Sequence, residues 1–218
     1  PKIGNEIEKS IFDEVFTKEK NNIYDIQSSN GKELYLNMRS CFWIKAFSFN
    51  PGSNEYKMFS YDNNDYLICL LNSSLFWIFW TIVSDCWHIT SKELKHFKYI
   101  DTSDDFSKLR LELENKLEET KKYIGTKQTE YEYKHKYCKK IIDKIDKKII
   151  GKNLKEIRNR FNDTQENTAN YIKVDQSNYS KYELGKILIN TYPLIEFAKH
   201  YKVSMDYICG KTNEYFIK

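Results

Sequence analysis

Seven glycines and three prolines among 218 residues leave this chain few places to turn tightly. Helices and long strands must therefore occupy most of it. The material to bury is plentiful: hydrophobic residues make up 40% and aromatics 16%, with 17 Tyr and 13 Phe, which excludes a disordered chain. The length suits one large domain or two small ones with separate cores, and the patterns below divide into two.

Charge is spread unevenly. Residues 1–100 carry 11 basic and 12 acidic side chains, residues 101–148 carry 13 and 11, and residues 149–218 carry 11 and 8. The positive surplus thus sits in the C-terminal half, where a polyanion would be met. Five cysteines, at 41, 69, 86, 138 and 209, are odd in number and widely spaced. They point to reduced, buried thiols in a cytoplasmic protein and to no disulfide framework. Cys86 and His88 are close, but two ligands do not make a zinc site, and no metal is expected.

The chain begins at Pro1 with no apolar leader, as expected of a processed chain or a part of something longer, and no secretory signal is visible. Tyr66 to Val83 is uncharged and holds Leu75-Phe76-Trp77-Ile78-Phe79-Trp80. Its length is marginal for a membrane span. Asn72-Ser73-Ser74 interrupts it and acids flank it, so a core helix is the preferred reading and no membrane partner is expected.

Upstream, Ile7, Ile11, Phe12 and Val15 or Phe16 have the spacing of a surface helix. Leu34-Tyr35-Leu36 and Cys41 to Phe49 read as paired strands closed by Asn50-Pro51-Gly52-Ser53, and Lys57 to Tyr61 as a third. Thr90 or Ser91 caps a short helix. Residues 103–122 form a charged helix with Phe106, Leu109, Leu113 and Leu117 on one face, and Tyr123 to Tyr133 is extended. Pro51 with Glu55-Tyr56-Lys57 resembles a nuclease metal triplet only loosely, and a surface turn is preferred. Helical spacing returns from Tyr137 to Ile150. Gly151 then marks a domain boundary, or equally a glycine tolerated inside one long helix.

Residues 150–218 divide into five short amphipathic pieces. Ile150, Leu154, Ile157 and Phe161 face a core in the first; Thr164 caps the second, in which Ala169 suits a close helix crossing. After a turn at Lys173-Val174-Asp175 the third runs from Gln176 to Glu183 and ends at Gly185, with Val174, Tyr179 and Tyr182 inward. The fourth begins near Thr191-Tyr192-Pro193 and buries Leu194, Ile195, Phe197, Ala198 and Tyr201. The fifth is Ser204 to Cys209, closed by Gly210.

Through Ile150 to Arg158, Thr164-Gln165-Glu166, Gln176-Ser177, Ser180 to Lys186 and Val203 to Thr212, this stretch resembles the lambda-repressor/Cro-type helix-turn-helix family. The resemblance implies double-stranded DNA as partner, with a homodimer reading a palindrome as a further expectation. Gln165 would brace a phosphate or a neighbouring glutamine. Gln176, Ser177 and Asn178 would face bases, and Ser180, Lys181 and Lys186 would hold the backbone. Two positions depart from the family: Lys173 stands where it usually has Gly, and Asp175 where it usually has Ser or Thr.

Pro1-Lys2-Ile3-Gly4, the strand around Arg39 to Phe49, Leu70 to Trp77, Ser84 to Thr90, Tyr131-Glu132-Tyr133 and Ile141 to Asp146 resemble the target-recognition region and tail of Type IIG restriction-modification adenine-specific DNA methyltransferases. The resemblance implies a specificity module, with Arg39, Lys45 and His88 as candidate DNA contacts, although His88 beside Trp87 more readily packs than binds. The catalytic motifs are missing. The glycines, at 4, 31, 52, 125, 151, 185 and 210, are too dispersed for a cofactor loop, and the prolines, at 1, 51 and 193, are never adjacent. No catalysis is expected of this chain and no cofactor, S-adenosylmethionine being needed only by a separate or upstream catalytic polypeptide.

The expected architecture is an α+β recognition region over 1–148 followed by an all-α five-helix helix-turn-helix domain over 149–218. The expected function is sequence-specific duplex DNA binding, in transcriptional regulation or in a restriction-modification context. The alternative is the specificity fragment of an adenine-N6 methyltransferase.

Overall fold

A computed structural model of the chain describes residues 22–40, 43–97, 102–204 and 208. The expected helix at 5–20, the start of the Cys41 strand and most of the fifth C-terminal piece lie outside them.

Three antiparallel strands open the described fold: β1 (Lys32–Asn37), β2 (Ala46–Phe47) and β3 (Tyr56–Tyr61), in the order β2-β1-β3. Tyr35 lies opposite both Phe47 and Met58. Alternation places Leu34 and Leu36 inward from β1 and Phe59 and Tyr61 inward from β3. The second strand is much shorter than its aromatic run suggests. Beyond the Lys45 carbonyl, which still accepts from Asn37 N at 2.9 Å, the chain leaves the ladder, and Trp43 instead stacks against Trp77 (4.9 Å) and His135 (4.5 Å). Side-chain packing there outweighs β-propensity.

The uncharged stretch forms two helices, α1 (Asn64–Leu71) and α2 (Ser74–Val83), bent by 60°. Asn72 makes the break. Its buried amide donates to the carbonyls of Ala46 and Ile68, both at 2.9 Å, while the Ser73 hydroxyl accepts from Phe76 N to cap α2. Among the described residues no single helix is long and apolar enough to cross a membrane. Helix α3 (Ser91–His96) starts in a capping box of Thr90 with Glu93. Helix α4 (Ser107–Thr120) buries Leu113 and Leu117, with Phe106 at its N-cap, and leaves Leu109 half-covered. Strands β4 (Lys122–Tyr123) and β5 (Tyr131–Glu132) form the ends of the expected extended segment, paired as a hairpin.

A 3-10 turn at His135–Cys138 leads into α5 (Lys139–Arg160), 22 residues without interruption, which at 1.5 Å per residue is about 33 Å long. Helical patterns on either side of Gly151 therefore belong to one helix. Ile141, Ile142, Ile145 and Ile149 close the α+β core; Ile150, Leu154 and Ile157 open a second core. Gly151 is required by its neighbour. A Cβ there would overlap the Tyr182 carbonyl oxygen and lie 2.9 Å from that of Glu183. In the α+β part Asp146 accepts a hydrogen bond from Ser74 N at 3.2 Å, and burial pushes its carboxyl up to about 6 despite that bond.

The second core is closed by α6 (Gln165–Tyr171), α7 (Gln176–Glu183) and α8 (Thr191–Tyr201). The chain is thus an α+β region followed by an all-α unit. Ile208, from the fifth expected piece, is buried in the helical core. Two expected core residues are on the surface: Phe161 is 44% exposed and Ile195 37%. Phe161 follows the last turn of α5 and lies against the Tyr201 ring, 5.0 Å away. Ile195 lies on the outer side of α8, whose inner side is Leu194, Phe197, Ala198 and Tyr201.

Candidate nucleic-acid interface

Helix ends shape this surface. The Thr164 hydroxyl accepts from Asn167 N at 3.1 Å and starts α6. At the other end Lys173 N bonds to Asn170 O and Val174 N to Ala169 O, a Schellman closure with Lys173 at φ 57. Lys173, which stands where the family usually has Gly, is left-handed, and the turn stays tight without glycine. Asn162 (φ 52) after α5 and Lys202 (φ 53) after α8 close their helices in the same way. Gly185 (φ 63) does so after α7, with Lys186 N reaching back to Lys181 O.

Crossing depends on small and inward residues. Ala169 and Thr168 are buried on α6, where the Thr168 hydroxyl meets Tyr201 Oη at 2.6 Å; Tyr179 and Tyr182 are buried on α7. The opposite side of α7 faces out. Gln176, Ser177 and Lys181 are exposed there, Asn178 and Ser180 are half-buried, and Lys186 is exposed just beyond. Lys181 Nζ donates to Asn178 Oδ1 at 3.3 Å, tying two of the candidates together.

A relay of hydrogen bonds holds the outward corner. Buried Glu183 receives Arg158 Nε at 2.6 Å and Nη2 at 3.1 Å, and also Gln165 Nε2 at 2.7 Å. Gln165 Oε1 in turn accepts from Gln176 Nε2 at 3.0 Å. Of the two postures expected of Gln165, the one beside a glutamine is present. One amide N–H of Gln176 is used in this contact. Its other N–H and its Oε1 are left as the fork that a bidentate adenine contact needs. Sequence reasoning missed the roles of Arg158 and Glu183, which are 25 residues apart and carry no local signal.

Asp175, at the N-cap of α7, is exposed and makes no capping bond with its side chain. Its carboxylate is therefore presented outward at the start of α7. Beyond α7, Leu184 (61% exposed), Ile187 and Leu188 put an apolar rim next to Lys186.

A helix-turn-helix family model matches residues 154–208. This segment is a DNA-binding helix-turn-helix domain. Its two motif helices are α6 and α7, with α7 in the position of the helix that enters the major groove. No curated protein and no solved structure matches the chain.

The three upstream candidates form a separate group. Arg39 and His88 face each other in an antiparallel bridge. The Arg39 guanidinium lies 5.2 Å from the Trp87 ring centre and 3.6 Å from Glu55. Arg39 and Lys45 line one cavity of about 240 Å³ with Asn37, Tyr56, Gln128 and Tyr131. The His88 ring meets Trp87 edge-on, with ring centres 6.3 Å apart, while its side chain stays 53% exposed and Nδ1 lies 3.0 Å from Asp85 Oδ2. Asp85 is held down at about 2, chiefly by the His88 backbone N–H, then by the His88 ring and Trp87 N. Cys69 and Cys138 are buried free thiols and Cys86 is half-exposed. Among the described residues no three His, Cys, Asp or Glu side chains are placed to share a metal.

Proposed function

We propose that this chain is a regulator that recognises a specific duplex DNA sequence through α7. Gln176 and Ser177 contact base edges, with Asn178 beside them. Gln165 holds Gln176 in place, and Ser180, Lys181 and Lys186 set the register on the phosphates. The observation that carries this reading is the Gln165–Gln176 hydrogen bond. It fixes the reading amide at the exposed start of α7 while leaving the bidentate edge open. The helix-turn-helix match supports the same assignment. A second copy reading the other half of a palindrome fits the symmetry of such operators.

The N-terminal region, residues 1–148, is proposed as a second DNA-recognition module, of the kind that restriction-modification methyltransferases use. Its support is the grouping of Arg39, Lys45 and His88 at one end of the sheet, beside the exposed ring of Trp87. Catalysis and S-adenosylmethionine, in that setting, belong to another polypeptide.

Selection of bound duplexes from a random pool with the full chain tests the proposal. Enrichment of one motif, with affinity falling steeply as salt rises, is the expected result. A pool that stays random through successive rounds removes the reading.

A further inference from the structure

Helix α5 carries Lys144, Lys148, Lys152 and Lys155 at a spacing that keeps them along one side. The end of this row far from the helix-turn-helix is neutralised, since Lys144 pairs with Glu112 at 2.5 Å. The near end meets a different segment of the α+β region. Residues 102–105 cross in front of it with Asp104 and Asp105 exposed. The Lys148 ammonium donates to the Asp105 carbonyl oxygen and lies 4.3 Å from the Phe106 ring centre.

Asp104 and Asp105 line an open cavity of about 320 Å³ with Lys148, Lys152 and Lys155, and the same cavity is lined by Gln165. A second, of about 490 Å³, runs on from Asp104 past Lys152 and Lys155 to Arg160. Asp105 is held below the usual carboxylate range by the Ser107 hydroxyl and backbone N–H, with Lys148 adding to the effect. Asp105 is therefore held as a carboxylate beside the lysines, and Asp104 stands next to it on the lining shared with the glutamine at which the DNA contact begins.

We propose that the 102–105 segment is an internal competitor for DNA phosphate. Asp104 and Asp105 occupy the field of Lys148, Lys152 and Lys155, and a duplex seated on α7 engages these lysines only by displacing that field. The inference rests on the reading of α7 as the DNA-contacting helix. Its physical basis is counter-ion release: lysines whose field is partly offset by nearby internal carboxylates release fewer ions from DNA, so affinity and salt dependence are both reduced. The loop thus tempers non-specific binding, which is set by phosphate contacts, more than base readout.

The test compares the full chain with D104N/D105N for binding to mixed-sequence duplex DNA over a range of salt. Asparagine at 105 keeps the oxygen that accepts from Ser107 N, at 2.8 Å in the present structure. Expected is binding about 5- to 30-fold tighter at low salt, with a log–log salt slope steeper by about 1 to 2. The single variant D104N, which leaves the Asp105–Ser107 turn untouched, shows part of the gain. The same two-charge change made as E119Q/E130Q gives a clearly smaller one. Unchanged or weaker binding by D104N/D105N overturns the proposal, as does an equal gain from E119Q/E130Q. In either case salt-dependent binding by the unaltered chain leaves the DNA reading standing. Absence of DNA binding by every variant removes both.

Discussion

Gln176 donates from Nε2 to Oε1 of Gln165 at 3.0 Å, and Gln165 donates onward to Glu183 at 2.7 Å. The first residues of the two motif helices are thereby locked to each other and to the buried Arg158–Glu183 pair.

Gln176→Ala should cost about 1–3 kcal/mol at one base position and relax the preference there. Gln165→Ala, which frees the Gln176 amide without removing it, should blur the same position by less. Competition binding with single-base variants of the selected site measures both. A uniform loss over all sequences from Gln176→Ala would contradict its role as a base reader.

Asp175 places a carboxylate at the exposed N-cap of α7. Asp175→Asn keeps a residue that suits an N-cap and removes the charge. DNA binding should tighten by about 2- to 10-fold at low salt and converge with the parent at high salt, as fluorescence anisotropy would register.

Gly151→Ala is expected to reverse the usual rule for helices. Alanine normally stabilises an exposed helical position by about 1 kcal/mol. Here its Cβ would collide with the Tyr182 carbonyl and crowd that of Glu183, so thermal unfolding should show a loss of about 1–3 kcal/mol from overpacking. Unchanged melting would mean that α7 can retreat from α5 freely.

Asp146 predicts a pH dependence. Its folded carboxyl is raised to about 6 by burial, so ionising it opposes folding. That cost is absent below the ordinary carboxylate range, grows as pH rises from about 4 to 6, and is complete above. Asp146→Asn should therefore stabilise the chain by about 1–3 kcal/mol at pH 7.5 and make little difference at pH 4. Denaturant midpoints at the two pH values provide the comparison.

Lys202 occupies a left-handed position after α8, at φ 53, and is exposed. Lys202→Gly should raise stability by about 1 kcal/mol, because only glycine adopts this conformation without steric cost. DNA affinity should not move, which separates stability from the interface.

What the sequence made legible was mostly local. Thr164, Thr90 and Gly185 mark helix ends because caps work within four residues, and the resemblance places Lys173 where its family usually has Gly, a residue suited to the left-handed conformation found there. Apolar periodicity located α4 and α8, and α6 and α7 were located by the caps and turn around them. Less legible was anything decided by distant partners. The aromatic run before Ala46 has strand propensity, yet Trp43 is taken by Trp77 and His135. Gly151 could end a helix or continue it, and the carbonyls of a helix 30 residues downstream explain the glycine. Ile195 and Phe161 fit an inward pattern by spacing alone, and the width of the core leaves them out. The outward amides were readable from the motif, whereas the Arg158–Glu183 support beneath them was not.

The unbroken α5 has a consequence for how the molecule stands on DNA. With one core packed on its first half and another on its second, the helix is a rigid strut with no hinge at its midpoint. A duplex that seats α7 would then set the bearing of the N-terminal region around the double helix as well. Arg39, Lys45 and Trp87 would be presented at one fixed azimuth and one fixed number of base pairs from the reading head, so the strut would act as a ruler.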